Sequence, residues 1–246
     1  MPARFSRRRP LNPNRLFNAS YSHAMETTPA PAARISSSTW LGLFVALFGL
    51  LIIRQLGSFI WSARTFTGTV WKESLIWATA ILLLAIIKRG ERLPLTSVGL
   101  GTSTWLKSLL WGVALMAVCG LVGGALAALT GFNGGSGGSF MEALPLWLVP
   151  LVVVRAGVVE ELFYRGYAIE RLQALGLNRY LAAAIPLVIF AVAHWTGGWA
   201  NIVIALALGA VLSAFYLWRR DLVANMIAHF LVDFAGNVLP RFFAHS

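Results

Sequence analysis

The sequence predicts an all-α fold: a polytopic transmembrane bundle of about seven spans with its N-terminus in the cytoplasm. Three observations predict it. Apolar residues make up 58% and charged residues 12% of the 246 residues, against roughly 45–50% and about 25% in soluble domains. That leaves too little polar cover for a water-facing surface. Apolar runs of about 20 residues, the length that crosses some 30 Å of hydrocarbon, recur along the chain. The basic residues between them fall on alternate sides.

Residues 1–39 read as a basic, disordered cytoplasmic tail. They contain Arg4, Arg7, Arg8, Arg9, Arg15 and Arg34 and one acid, Glu26, with no apolar period. An Arg-rich, acid-poor start is also the composition of organelle transit peptides. The favoured readings are a tail near anionic lipid or an extension upstream of a start at Met25. Spans are expected at 40–60, 71–88, 105–129, 145–166, 180–197, 200–218 and 222–242. Leu93-Pro94 precedes the third span, and Gly131 to Ser139 form a Gly/Ser-rich turn after it. That turn lacks the Lys-Ser/Thr ending of a phosphate-cradling loop and reads as a flexible connection.

Charge tests the spans. With the tail inside, the inner loops hold Lys88, Arg89, Arg92 and Lys107, then Arg171 and Arg179, then Arg219 and Arg220. The outer loops hold Arg64 and Lys72 and little else that is basic. This alternation satisfies the positive-inside rule and accounts for the net charge of +11 without nucleic acid as a partner. The partners expected are the bilayer and a membrane protein or peptide. Gly120 and Gly124, with Gly112 and Gly123, suggest close helix packing in the third span. The ten Trp sit mostly near span ends, as an interfacial belt does. The single Cys119 can form no internal disulfide.

Ionisable groups inside a span are costly and mark a function or a buried pair. The fourth span holds Arg155, Glu160, Glu161 and Arg165, the fifth His194, and the seventh Asn225, His229, Asp233 and Asn237. Glu161 and Arg165, four apart, share a helix face and can pair. Glu160 points about 100° away and is left without that cation, which suits general-base work. Two structural ion pairs would be the plainer account. Glu160 and His194 each lie 17 positions from Leu177 in the intervening turn, so an antiparallel hairpin sets them level, about 25 Å from it. His229 lies roughly 13 Å from its own turn and joins them if the hairpin projects about 12 Å beyond the membrane. Asn225, His229 and Asp233 recur every four residues and line one face, where Asp233 could accept from a ring nitrogen of His229.

Three segments resemble the motifs of the CPBP family, the CAAX-protease and bacteriocin-processing proteins. Glu160-Glu161-Leu162-Phe163-Tyr164-Arg165 resembles E-E-x-x-x-R, Phe190-Ala191-Val192-Ala193-His194 resembles F-x-x-x-H, and His229-Phe230-Leu231-Val232-Asp233 resembles H-x-x-x-N/D. The resemblance covers roughly residues 95–240, so the chain divides into the tail 1–39, two N-terminal helices in 40–94 and a protease-like core in 95–246. Arg155 is not part of the motif and has no obvious partner in its own helix; snorkelling, pairing with another span or binding a substrate carboxylate are its three options.

The resemblance implies an intramembrane endopeptidase acting on a prenylated CAAX-type protein or another membrane-associated peptide, in a bacterial inner membrane with its active site toward the cytoplasm. It implies that Glu160 activates water with help from His194, and that His229 and Asp233 polarise the scissile carbonyl. Glu161 and Arg165 would hold the helix, with Phe190 and Asn225 in support. Glu160, His194 and His229 could ligate a catalytic zinc, Zn2+ with a fourth position for water, although no H-E-x-x-H is present; the same residues could work with water alone. A proton-coupled transporter and a non-catalytic scaffold, as in bacteriocin immunity, are the competing functions. The absence of an inverted repeat weighs against the first, and the intact motifs weigh against the second.

Overall fold

Seven principal helices carry the chain in a computed structural model that describes residues 36–60, 65–132 and 144–243; no strand occurs among these residues. The expected tail up to residue 35, Arg64, and the Gly/Ser run from Asn133 onward lie outside the described residues. Helix α1 is Ser37–Ile60, α2 is Phe66–Ala85 with a wide last turn at Ile86–Gly90, and α3 is Trp105–Thr130. Helix α4 runs without a break through Leu148–Arg155, the widened stretch Ala156–Ile169 and Glu170–Ala174. Helices α5 (Arg179–Val192), α6 (Trp199–Arg219) and α7 (Leu222–Asn237) follow, and a short turn, α8, ends the bundle at Leu239–Phe243.

The helix boundaries have local causes. Thr65 accepts from the Gly68 amide at the start of α2, and Asn178 accepts from the Tyr180 and Leu181 amides at the start of α5. Such side-chain acceptors satisfy amides that a helix N-terminus leaves without partners. Asp221 starts α7 in the same way through the Ala224 amide, and its carboxylate also takes the Ser108 hydroxyl of α3 at 2.8 and 2.9 Å. That buried bond joins two helices distant in sequence.

Among the described residues, five helical stretches are long and apolar enough to cross a membrane: Ser37–Gly57, Phe66–Gly90, Trp105–Thr130, Trp199–Arg219 and Leu222–Phe242. With their exposed apolar faces, exemplified by Leu121 and Leu129 at 77% and 83%, they make this an integral membrane protein. The other two principal helices are exceptional in ways that bear on function. Helix α4 carries Arg155, Glu160, Glu161 and Arg165 along its middle, while α5 has 14 residues and rises only about 21 Å.

Helix α4 is the centre of the molecule. It packs against α1, α5 and α7, and Phe163, Tyr164, Tyr167, Ala168 and Ile169 are all buried along it. Gly157 lets α7 approach: a Cβ there would lie 3.0 Å from the Met226 carbonyl and the Phe230 amide, both backbone atoms. The expected contact glycines of the third span need correction. A Cβ on Gly120 or Gly124 would meet nothing within 4 Å, whereas one on Gly112 would clash with Ile227 of α7. The small-residue spacing falls on the open side of α3, and its packing glycine lies two turns earlier.

Candidate active site

Two arginine–glutamate pairs stand back to back on α4. Glu161 and Arg165 are 2.8 Å apart, with side chains 0% and 1% exposed. Arg165 also reaches α6, donating to the Gly209 carbonyl at 3.3 Å and the Ser213 hydroxyl at 3.4 Å, and its guanidinium lies 4.4 Å from the Phe190 ring centre. Glu161 accepts two further hydrogen bonds from α7. His229 Nδ1 donates to its Oε1 at 2.8 Å, and Asn225 Nδ2 donates to its Oε2 at 3.1 Å. Asn225 also donates to the Leu212 carbonyl at 3.0 Å. A buried carboxylate is tolerable only when paired and hydrogen-bonded in this way.

The second pair corrects an expectation. Glu160 is not left without a cation, because Arg155 Nη1 donates to its Oε1 at 2.9 Å. The reason is the helix itself. Residues five apart lie about 140° apart around an ordinary α-helix, but a widened turn with i→i+5 bonding brings them onto nearly one face. Of the three options for Arg155, pairing with another helix is the one realised. Its Nε donates to Glu73 Oε2 of α2 at 2.6 Å and its Nη2 to Glu73 Oε1 at 3.2 Å.

His229 is oriented by a different carboxylate from the one expected. Glu161 takes Nδ1, while Asp233 Oδ2 lies 3.6 Å from Nε2, beyond hydrogen-bond length. The α7 backbone sets Asp233 one turn further on, beside the ring edge that remains open. His194 closes α5, and its Nδ1 sits 2.8 Å from the Phe190 carbonyl. A carbonyl only accepts, so Nδ1 carries a proton, and in the neutral ring Nε2 is the nitrogen with the lone pair. The Phe190 ring lies between the two imidazoles, with centres 4.7 Å from His194 and 6.2 Å from His229.

The candidates do gather in one region: Asp233 lies within electrostatic range of His229, Glu160, His194 and Arg155. As a zinc site, however, the arrangement does not fit. No three His, Cys, Asp or Glu side chains come together as a ligand set among the described residues.

Two participants escaped the sequence reading. Glu73 holds Arg155, and Arg54 of α1 donates to the Ala193 carbonyl at 2.6 Å and to the Thr196 hydroxyl, on either side of His194–Trp195. Both are charges inside apolar runs, and the cost argument that singled out α4 applies to them equally.

Comparison with known families agrees with the motif resemblance. Residues 142–235 match the family model described as type II CAAX prenyl endopeptidase Rce1-like. No curated protein and no solved structure matches the chain. The matched segment begins before α4 and ends within α7, and so contains both glutamates, both histidines and Asp233.

Proposed function

We propose that this protein, whose residues 142–235 match the family model of type II CAAX prenyl endopeptidases, hydrolyses a peptide bond in a membrane-associated substrate. The substrate is a prenylated protein with a CAAX-type terminus or a membrane peptide, and Glu160 is the base. The observation that carries this reading is the division of labour between adjacent carboxylates. Glu161 is 0% exposed and spends both oxygens on Arg165, His229 and Asn225. Glu160 is 16% exposed, and its Oε2 makes no hydrogen bond to another described residue. Of these two glutamates, only Glu160 has an oxygen available to a water molecule.

The chemistry follows from that oxygen. Glu160 takes a proton from water while the hydroxide adds to the scissile carbonyl carbon. His229 stands with Nδ1 fixed by Glu161 and Nε2 free, so a proton on Nε2 can be donated to the developing oxyanion. Asp233, beside that nitrogen, supports its charge. His194 offers the lone pair of Nε2 as a relay, and the proton taken from water passes to the departing amine as the C–N bond breaks. No step is routed through a metal. The loops rich in Lys and Arg orient the basic end of the bundle to the cytoplasm, where a CAAX terminus would be presented.

The experiment compares wild type with Glu160→Gln in detergent on quenched peptides, farnesylated and plain, with and without chelator. Cleavage by wild type and its loss in the variant support the reading. Equal cleavage by both would remove Glu160 from the mechanism, and loss with chelator reversed by zinc would replace the metal-free scheme. A folded wild type that cuts nothing in the panel would count against the substrate class.

A further inference from the structure

We propose that Glu73 is a positioning residue of the active site: from α2, outside the matched segment, it holds and shares the Arg155 guanidinium that in turn holds Glu160. The inference rests on the proposed role of Glu160 as the base.

Three observations converge on Glu73. Its carboxylate takes Arg155 through two nitrogens, Nε at 2.6 Å and Nη2 at 3.2 Å, while Glu160 receives one bond, from Nη1 at 2.9 Å. The two-point contact therefore fixes the guanidinium plane, and Glu160 takes what that plane presents. Both partners are largely out of solvent, with side chains 10% and 12% exposed, so screening by water is weak. Lastly, one cation faces two carboxylates. Arg155 shared in this way steadies Glu160 without neutralising it fully, and Lys72 Nζ, 3.5 Å from Glu73, supplies part of the missing positive charge.

Without Glu73 the guanidinium would be free to turn its fork onto Glu160 and engage both carboxylate oxygens. The oxygen needed by water would then be occupied. Removing Arg155 as well should erase that effect, because Glu73 acts on Glu160 only through it. Helix α2 thus helps to position the site and is more than a membrane anchor for the matched segment.

The test uses the full chain. Glu73→Gln is expected to lower kcat about 10–100-fold, the usual cost of losing a partner that orients a reacting group, with KM within twofold. Glu73→Asp, which keeps the charge at shorter reach, should recover most of it and serves if the Gln variant folds poorly. In an Arg155→Met background, Glu73→Gln should change kcat less than twofold. An unchanged kcat in Glu73→Gln, or additive losses in the double variant, would overturn the proposal. A second readout needs no substrate. A carbodiimide modifies a membrane carboxyl that no cation holds, and modification of Glu160 can be followed by mass spectrometry. Modification should slow at least threefold in Glu73→Gln and quicken in Arg155→Met; equal rates in all three proteins would overturn the proposal even where wild type cleaves nothing. Cleavage by wild type with no effect of Glu73 would leave the protease reading standing and remove only this inference.

Discussion

Replacing Arg165 with Met should destabilise the bundle by a predictable amount. The substitution keeps much of the volume but strips the cation from Glu161, whose side chain is 0% exposed. Removing one partner of a buried pair costs about 3–5 kcal/mol, because the remaining charge has no water to turn to. His229 and Asn225 still donate to Glu161, which argues for the lower end, about 3 kcal/mol. The bonds to Gly209 and Ser213, at 3.3 and 3.4 Å, are long and add little. At about 2–4 °C per kcal/mol for a chain of this size, the Tm should fall by about 6–12 °C. The molecule carries its own probe: Cys119 is the only cysteine and is 1% exposed, so a thiol-reactive fluorophore reports unfolding. The double variant Glu161→Met/Arg165→Met should recover at least half of the loss, since apolar replacement of a whole buried pair is often neutral or better. A Tm drop below about 3 °C in the single variant, or a double variant less stable than the single, would refute the reasoning.

Other substitutions separate packing from chemistry. Asn225→Leu removes donors from Glu161 and from the Leu212 carbonyl; a cost of about 1–3 kcal/mol is expected, read by the same thermal assay, with a lower kcat because Glu161, which fixes His229, loses one of its donors. Gly157→Ala should cost about 1–3 kcal/mol, because its Cβ meets backbone of α7 that cannot yield. Gly120→Ala, with open space around it, should instead stabilise by roughly 0.5–1 kcal/mol through helix propensity. Arg54→Met frees the turn that follows His194; the expected result is a lower kcat with Tm changed by no more than a few degrees, measured on the same peptides.

The bundle and the motif positions were legible in the sequence because they depend on composition and on spacing that a membrane enforces. Apolar length located the helices, and the rarity of charge in lipid pointed to Glu160, Glu161, Arg165, His194, His229 and Asp233. The partnerships among them were not legible in the same way. Reasoning with 3.6 residues per turn separates Arg155 from Glu160, and it cannot anticipate that Ala156–Ile169 is wound more widely. The same reasoning gave His229 to Asp233, four residues away on its own helix. The carboxylate that binds Nδ1 comes from α4, 2.8 Å away across the Gly157 contact. Glu73 was hidden for a different reason: the expected span begins at residue 71, which sets Lys72 and Glu73 at its edge, whereas the helix begins at Phe66 and carries both inside it.

The widened stretch of α4 is also what allows two neighbouring glutamates to serve different ends. Consecutive carboxylates in a low-dielectric interior repel, and one cation between them would leave both half-satisfied. Here Arg165 lies four residues after Glu161 and Arg155 lies five before Glu160. Each glutamate therefore has an arginine on its own side, and the second arginine is divided with Glu73. A helix wound regularly through this segment would carry Arg155 away from Glu160 while leaving the Glu161–Arg165 pair intact. Changes that rewind the stretch should accordingly abolish turnover at a smaller cost in stability than loss of Arg165. Deleting one residue between Arg155 and Glu160, for instance Val158, is the direct trial. It shortens the separation to four, restores an α-helical register for the pair, and turns Glu160 and Glu161 together relative to α7. Cleavage should be lost while the protein still inserts; retained cleavage would mean that the wide turn is incidental to the site.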